Sequence, residues 1–314
     1  MRVLILRGKR PGWALAGLAA AALACNVLGA GPATPTPSPL PPPTAVDTVA
    51  APTASPLPAA TDTSSAPTAT AAGVVTPSPT PELPDEVILV LEPAVAASVT
   101  SPVHVAGDAD PTFEQNLVVL ISDETGAVLA TQSTTIQAEA GQRGTFDVDV
   151  PFTVVADQPG RIAVYSASAR DGGLLHLASV EVTLLASGSA AVVPGQPHQE
   201  IHVIDEPAAQ ASVSGGSLHV SGYSEYVFES QLSLALCGEG GTGAADLLCG
   251  TSDNLIAQGV ATVNSPDVGQ PGPFTGDIAY TVTAPVQARL VVYSVSPRDG
   301  GILHLATVDV QLQP

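Results

Sequence analysis

A chain of 314 residues with 29 acidic and 9 basic side chains carries a formal charge of −20. Four of the bases, Arg2, Arg7, Lys9 and Arg10, precede residue 11, so the remainder sets 29 acids against 5 arginines and has no lysine. Such a surface repels phosphate backbones and anionic headgroups, which excludes nucleic acid as a partner and leaves the fold open.

Residues 1–25 read as an export signal. A basic stretch, MRVLILRGKR, is followed by an uncharged one, PGWALAGLAAAALAC, the n-region and h-region order of a secretory leader. The ending ALAC resembles a bacterial lipobox, in which small residues precede a cysteine that is cleaved and lipidated. Cys25 is therefore the expected lipidation site and first mature residue. The competing reading is an uncleaved anchor, since residues 11–30 are just long enough to cross ~30 Å of hydrocarbon. Both readings place the rest of the chain outside the cytoplasm, the first with a membrane lipid anchor as its partner.

Residues 26–85 read as a disordered tether of proline, threonine, serine and alanine, as in GPATPTPSPLPPPT. Proline removes backbone donors, and the segment has too little large apolar surface to fold. At ~3.1 Å per residue the stretch 31–85 would extend roughly 170 Å as a polyproline-like spacer.

The remainder repeats itself. SPVHVAGDADPTFEQNLVVL aligns with GSLHVSGYSEYVFESQLSLA, pairing His104 with His219, Gly107 with Gly222 and Phe113 with Phe228. Farther on, YSASARDGGLLHLASVEV aligns with YSVSPRDGGILHLATVDV, pairing Tyr165 with Tyr293, Asp171 with Asp299 and His176 with His304. The expected layout is one domain over 86–185, a linker over 186–199 and a second domain over 200–314. Each copy consists of short segments rich in Val, Ile, Leu and Thr, bounded by Gly, Pro, Asp or Asn. TFDVDVPF alternates, with Phe146, Val148 and Val150 on one face. The fold class is therefore all-β, two tandem immunoglobulin-like sandwiches.

RDGG joins two strands in both copies. Asp171-Gly172 and Asp299-Gly300 suit a type I′ hairpin turn, in which both central residues take positive φ. The rival reading is a ligand loop with Arg170 and Arg298 as anion contacts. Cys237 and Cys249 flank an insertion unique to the second copy; in an exported chain they are expected to form a disulfide. The CGEGGTG in that insertion lacks the helix a dinucleotide fingerprint requires. The histidines recur in each copy without an acidic third ligand at fixed spacing, so they read as strand residues, and no metal site or cofactor is expected. Asp108, Asp110 and Glu114 lack EF-hand spacing.

The order LEP, SPVHVAG, FEQNLVVLISDETGAVLA, a Phe-bearing strand and a YSAS-RDGG-LLHL hairpin resembles the immunoglobulin-like domain of bacterial spore-germination-type lipoproteins. The first copy supplies Pro93, Ser101-Pro102, Gly107, Phe113-Glu114, the DETG turn at 123–126, Phe146 and Asp171-Gly172. The second keeps Pro207, Gly222, Phe228-Glu229, Phe274 and Asp299-Gly300. The resemblance implies an accessory extracytoplasmic sandwich with no catalytic residues to carry over. A non-catalytic envelope lipoprotein that binds an envelope protein or glycan is the expected function. The alternative is an accessory part of an envelope or germination-type enzyme system, or a hydrolase with an unrecognised site.

Overall fold

The first half of the ordered chain runs, in order, β1 (Ile88–Glu92), β2 (Ser98–Val99), β3 (Val103–Ala109), β4 (Asn116–Ser122), β5 (Val128–Thr135), β6 (Gly144–Val150), β7 (Gln158–Ala167) and β8 (Leu174–Leu184). The structure is a computed structural model that describes residues 83–225, 227–267 and 269–314. Cys25 and nearly all of the tether lie outside the described residues. Strands β1, β3 and β6 form one layer, and β5, β4, β7 and β8 the other; β2 runs parallel to β8. The alternation expected of β6 is present: Phe146 and Val150 are buried while Asp147 and Asp149 face solvent. Ile88, Val105, Leu117, Phe146, Ile162 and Leu184 fill the space between the layers.

The second half repeats the order. It comprises β9 (His202–Glu206), β10 (Ala211–Val213), β11 (Ser217–Ser224), β12 (Gln231–Cys237), the short pair β13 (Ala245–Asp246) and β14 (Gly250–Thr251), then β15 (Leu255–Val263), β16 (Gly272–Ala279), β17 (Val286–Val295) and β18 (Ile302–Leu312). Its own core gathers Leu218, Leu232, Phe274, Leu290, Val310 and Leu312. Only β13 and β14, inside the insertion, have no counterpart. Strand β15 pairs with β12 and then, through Ala261–Val263, with β16, so the two layers of this half are continuous. The architecture is an all-β sandwich, with 3-10 turns as its only helical pieces among the described residues.

Close approach explains one repeated pair of residues. Gly107 lies opposite Phe146 and Gly222 opposite Phe274. A Cβ on Gly107 would stand 1.9 Å from the Leu89 carbonyl oxygen and 2.9 Å from the Phe146 ring; on Gly222 it would stand 2.0 Å from the Val203 oxygen and 2.6 Å from the Phe274 ring. Only glycine lets the ring lie across the strand at these points.

Strands β7, β8, β12, β17 and β18 are buried on both faces. Ile162 and Val164 point into the first core, while Ala163 and Tyr165 join a third cluster with Leu177, Cys237, Val291 and Leu305. That cluster is the seam between the halves. There β8 and β18 pair antiparallel at Leu177↔Leu305 and Ala178↔His304. Residues 186–199 do not hang free: Gly195 N–H donates to the Leu91 carbonyl at 2.6 Å, and Ala191 pairs with Ser98.

Candidate functional site at the seam

Across the seam the main polar contacts come as sequence-equivalent pairs, the pattern of an isologous two-fold interface written into one chain. Arg161, on β7, donates from Nη2 to Asp299 Oδ1 at 2.7 Å. Its equivalent Arg289, on β17, donates from Nη2 to both carboxylate oxygens of Asp171, at 3.1 and 2.9 Å. All four side chains are sealed from water, none more than 4% exposed. The Ser179 hydroxyl donates to the Leu303 carbonyl and the Thr307 hydroxyl to the Leu175 carbonyl, both at 2.8 Å. At the rim Arg298 meets Glu181 at 3.4 Å and its equivalent Arg170 meets Asp309 at 3.9 Å, Arg170 adding a closer contact to Glu239 of the insertion at 3.0 Å.

The RDGG segment therefore does more than turn the chain. Gly172 N–H donates to the Ser168 carbonyl at 2.8 Å and Gly300 N–H to the Ser296 carbonyl at 2.9 Å, closing a longer loop than a two-residue type I′ turn. Positive φ falls on Gly172 (77°) and Gly300 (70°), whereas neither aspartate adopts it. This departs from the type I′ geometry expected from Asp-Gly, for a reason visible in the side chain. Asp171 Oδ1 caps the Gly173 N–H at 2.9 Å and Asp299 Oδ1 caps the Gly301 N–H at 3.0 Å, and each carboxylate then extends to the opposite half's arginine. Burial works against ionising Asp299, but Arg161, the Gly301 N–H and Arg298 outweigh it and hold the carboxyl down to about 2. Asp171 is likewise lowered, with burial outweighed by the Gly173 N–H and Arg289.

The insertion builds the socket for one of these hairpins. Cys237 and Cys249 form a disulfide with Cα atoms 5.3 Å apart. The Leu247 and Leu248 carbonyls beside it receive the Leu174 N–H at 3.2 and 3.1 Å. A Cβ on Gly250 would meet the Asp171 carbonyl oxygen at 1.9 Å, so the loop lies flush against the hairpin.

A polar cluster lies at the other end of the seam. Pro84 and Asp85, assigned by composition to the tether, pair there with residues 199 and 200: Glu200 N–H donates to the Pro84 carbonyl at 2.9 Å and Asp85 bridges to Gln199. Glu86 and Glu200 are mates. Glu86 Oε2 accepts the Ile201 N–H at 3.1 Å and Glu200 Oε2 accepts the Val87 N–H at 3.0 Å. Their other oxygens face His176 Nε2, at 3.2 Å from Glu86 and 3.7 Å from Glu200. All three residues are buried. Burial pushes each glutamate up to about 7, partly offset at Glu86 by His198 and at Glu200 by His176. Burial pushes His176 down.

Beside this trio, His202 Nδ1 lies 3.0 Å from Ser224 Oγ, and its Nε2 lies 3.0 Å from Ser294 Oγ. Because the Ser224 hydroxyl donates to the Glu225 carbonyl, it accepts from His202 Nδ1, which leaves Nε2 as the acceptor for Ser294. Burial holds His202 down to about 3.

Two clefts flank the cluster as mates. One, about 550 Å³, is lined by Phe113, Ser166, Leu175, His176, Glu200 and His202. The other, about 440 Å³, is lined by Phe228, Glu229, Ser294, Leu303 and His304. Phe113 and Phe228 stand 63% and 52% exposed at the mouths. Each sits in a turn whose next two residues take positive φ without glycine, Glu114 and Gln115 at 54° and 57°, Glu229 and Ser230 at 54° and 53°. Left-handed backbone of this kind costs on the order of 1 kcal/mol or more per residue and concentrates at binding sites. The other repeated histidines lie apart from the seam, as exposed cross-strand pairs: His104 Nδ1 with Asp149 at 3.0 Å and His219 Nδ1 with Asp277 at 2.9 Å.

Sequence reasoning missed Arg161, Arg289, Glu86 and Glu200. The signal for the first two was available, an arginine repeated inside otherwise apolar strands, GRIAVYS and ARLVVYS. The two glutamates lie at the edges of the repeat, where no periodicity marks them.

This geometry defines an immunoglobulin-like β-sandwich protein. Residues 87–173 match the protein family described as "Immunoglobulin-like domain of bacterial spore germination". No curated protein matches the chain. Among solved structures, dimeric latent PorU from Porphyromonas gingivalis is similar at 11% identity and a TM-score of 0.21, over 73% of this chain and 24% of that one. The chain thus spans about a quarter of PorU. The periplasmic chaperone SfaE is similar at 9% identity and 0.21, over 72% and 98% of the two chains. The collagen adhesin of S. aureus is similar at 7% identity and 0.15, over 73% and 92%. Among the described residues no helix is long and apolar enough to cross a membrane.

Proposed function

We propose that this chain is a non-catalytic envelope lipoprotein in which Cys25 carries the lipid, residues 26–85 lift the ordered part off the membrane, and two duplicated immunoglobulin-like domains, 86–185 and 200–314, act as one rigid binding body. The observation that carries the reading is the reciprocal seam, Arg161 with Asp299 and Arg289 with Asp171. It fixes two equivalent clefts at a set separation, each with an aromatic side chain at its mouth. Paired sites raise effective concentration for a repeated surface ligand, so weak affinity at each cleft suffices. The ligand class is an envelope protein or glycan.

The hydrolase alternative has a geometry to test, because Ser294 and His202 are in contact. A histidine held near 3 is a poor general base at neutral pH, which favours the binding reading. The test is retention of the purified chain on native envelope material. Phe113→Ala and Phe228→Ala are each expected to weaken it, and the double variant to weaken it by more than tenfold, since both rings are exposed and contribute little to stability. Unchanged retention in the double variant would remove the twin-cleft reading. Saturable turnover abolished by Ser294→Ala would replace it with a hydrolase.

A further inference from the structure

We propose that Glu86, His176 and Glu200 form a zinc site that clamps the two halves together. The donor atoms lie within 4.8 Å of one another, and the structure holds one histidine nitrogen and one oxygen from each glutamate in that space. Zinc–nitrogen and zinc–oxygen bonds of ~2.0–2.2 Å in a tetrahedral set place neighbouring donors about 3.3–3.5 Å apart. The two distances from His176 Nε2, 3.2 and 3.7 Å, bracket that value.

The orientation is built rather than incidental. Each carboxylate has its Oε2 tied to a main-chain N–H of the other half and its Oε1 turned to the histidine. Such outer hydrogen bonds are what fix ligands for a metal. Carboxylates that both bind through Oε1 carry a charge of −2, which a dication balances. The donor types select the ion. Calcium takes six to eight oxygens, whereas three nitrogen and oxygen donors with one open position suit zinc. The 550 Å³ cleft, lined by His176 and Glu200, supplies that open position. The site occurs once despite the duplication, because both glutamates turn to His176 and neither is hydrogen-bonded to its mate His304, whose Nδ1 is buried without a partner.

The experiment strips the full, untagged chain with chelator and titrates it with zinc chloride. Native mass spectrometry should count one zinc per chain. The melting temperature should rise by about 5–10 °C at a hundredfold excess over the dissociation constant. Glu200→Gln and His176→Gln should weaken binding at least a hundredfold, while the paired variant His104→Ala, His219→Ala leaves it unchanged. Cobalt(II) in the parent chain should give the intense visible bands of a tetrahedral site, a reading that needs no variant to fold. Absent stoichiometric binding, weak six-coordinate cobalt spectra, or binding lost with His104 and His219 but kept in Glu200→Gln would each overturn the site.

Discussion

Replacing Asp171 or Asp299 with alanine is expected to destabilise the chain by about 3–5 kcal/mol, because each change leaves a buried guanidinium without its closest countercharge. Arg289 and Arg161 are 1% and 4% exposed, and neither has water to replace the carboxylate. Each also has a buried Nε without a partner, and what remains is the half-exposed Glu181 carboxylate 3.6 Å from Arg161 and the Leu174 carbonyl 3.3 Å from Arg289. Arg170→Ala, by contrast, removes a side chain 38% exposed at the rim and should cost less than about 1 kcal/mol. The comparison separates the two readings of RDGG. An anion-binding loop would put the effect on Arg170 and Arg298 and on ligand affinity; a structural lock puts it on the aspartates and on unfolding. The same pairs set an acid limit. A folded carboxyl pKa below the unfolded value contributes stability that is complete above the unfolded pKa and is lost as pH falls through the folded one. For Asp299 that window runs from 3.8 down to about 2. Urea midpoints measured across it should fall for the parent chain and stay flatter, relative to it, for Asp299→Ala.

Reducing the Cys237–Cys249 disulfide should cost on the order of 3 kcal/mol, the loop entropy released by a closure of about thirteen residues. Its effect should not be confined to the insertion. The loop holds the Leu174 N–H through the Leu247 and Leu248 carbonyls and abuts the Asp171 hairpin. Cys237→Ser with Cys249→Ser should therefore speed amide exchange at Leu174, in the other half of the chain, while Ile302, its mate, changes less. Non-reducing peptide maps of protein exported by its own host should recover the linked pair. Free thiols at both positions, or Leu174 exchange unchanged in the variant, would show the loop to be independent of the seam.

The strands and their order were legible because period-two alternation and turn residues act locally. Phe146 and Val150 announce their face, and Gly172 and Gly300 announce a turn. The alignment marked Gly107 with Gly222 and Phe146 with Phe274 as repeated positions, whereas the approach of ring to backbone is a cross-strand contact that spacing does not reveal. The turn type was not legible. Asp-Gly has a strong local preference, and it yields here to a carboxylate that caps its own loop and reaches an arginine 118 residues away. Nor was the polar cluster of Glu86, His176 and Glu200. Glu86 and Glu200 begin the two repeats and look like ordinary boundary charges; only the pairing of residues 84–87 with 198–201 buries them. A repeat shows that two units exist and is silent on how they meet. The residues that decide their meeting are charged ones in apolar strands, which a hydrophobic pattern treats as exceptions.

The central claim is that the two halves behave as one body because each hairpin locks into the other half. Differential scanning calorimetry of the full chain tests it most directly. A single transition is expected, with calorimetric and van't Hoff enthalpies agreeing for the whole ordered region, and with Asp171→Ala or Asp299→Ala splitting it into two. Two well-separated transitions in the parent chain, each carrying the enthalpy of one half and unmoved by the aspartate variants, would contradict it.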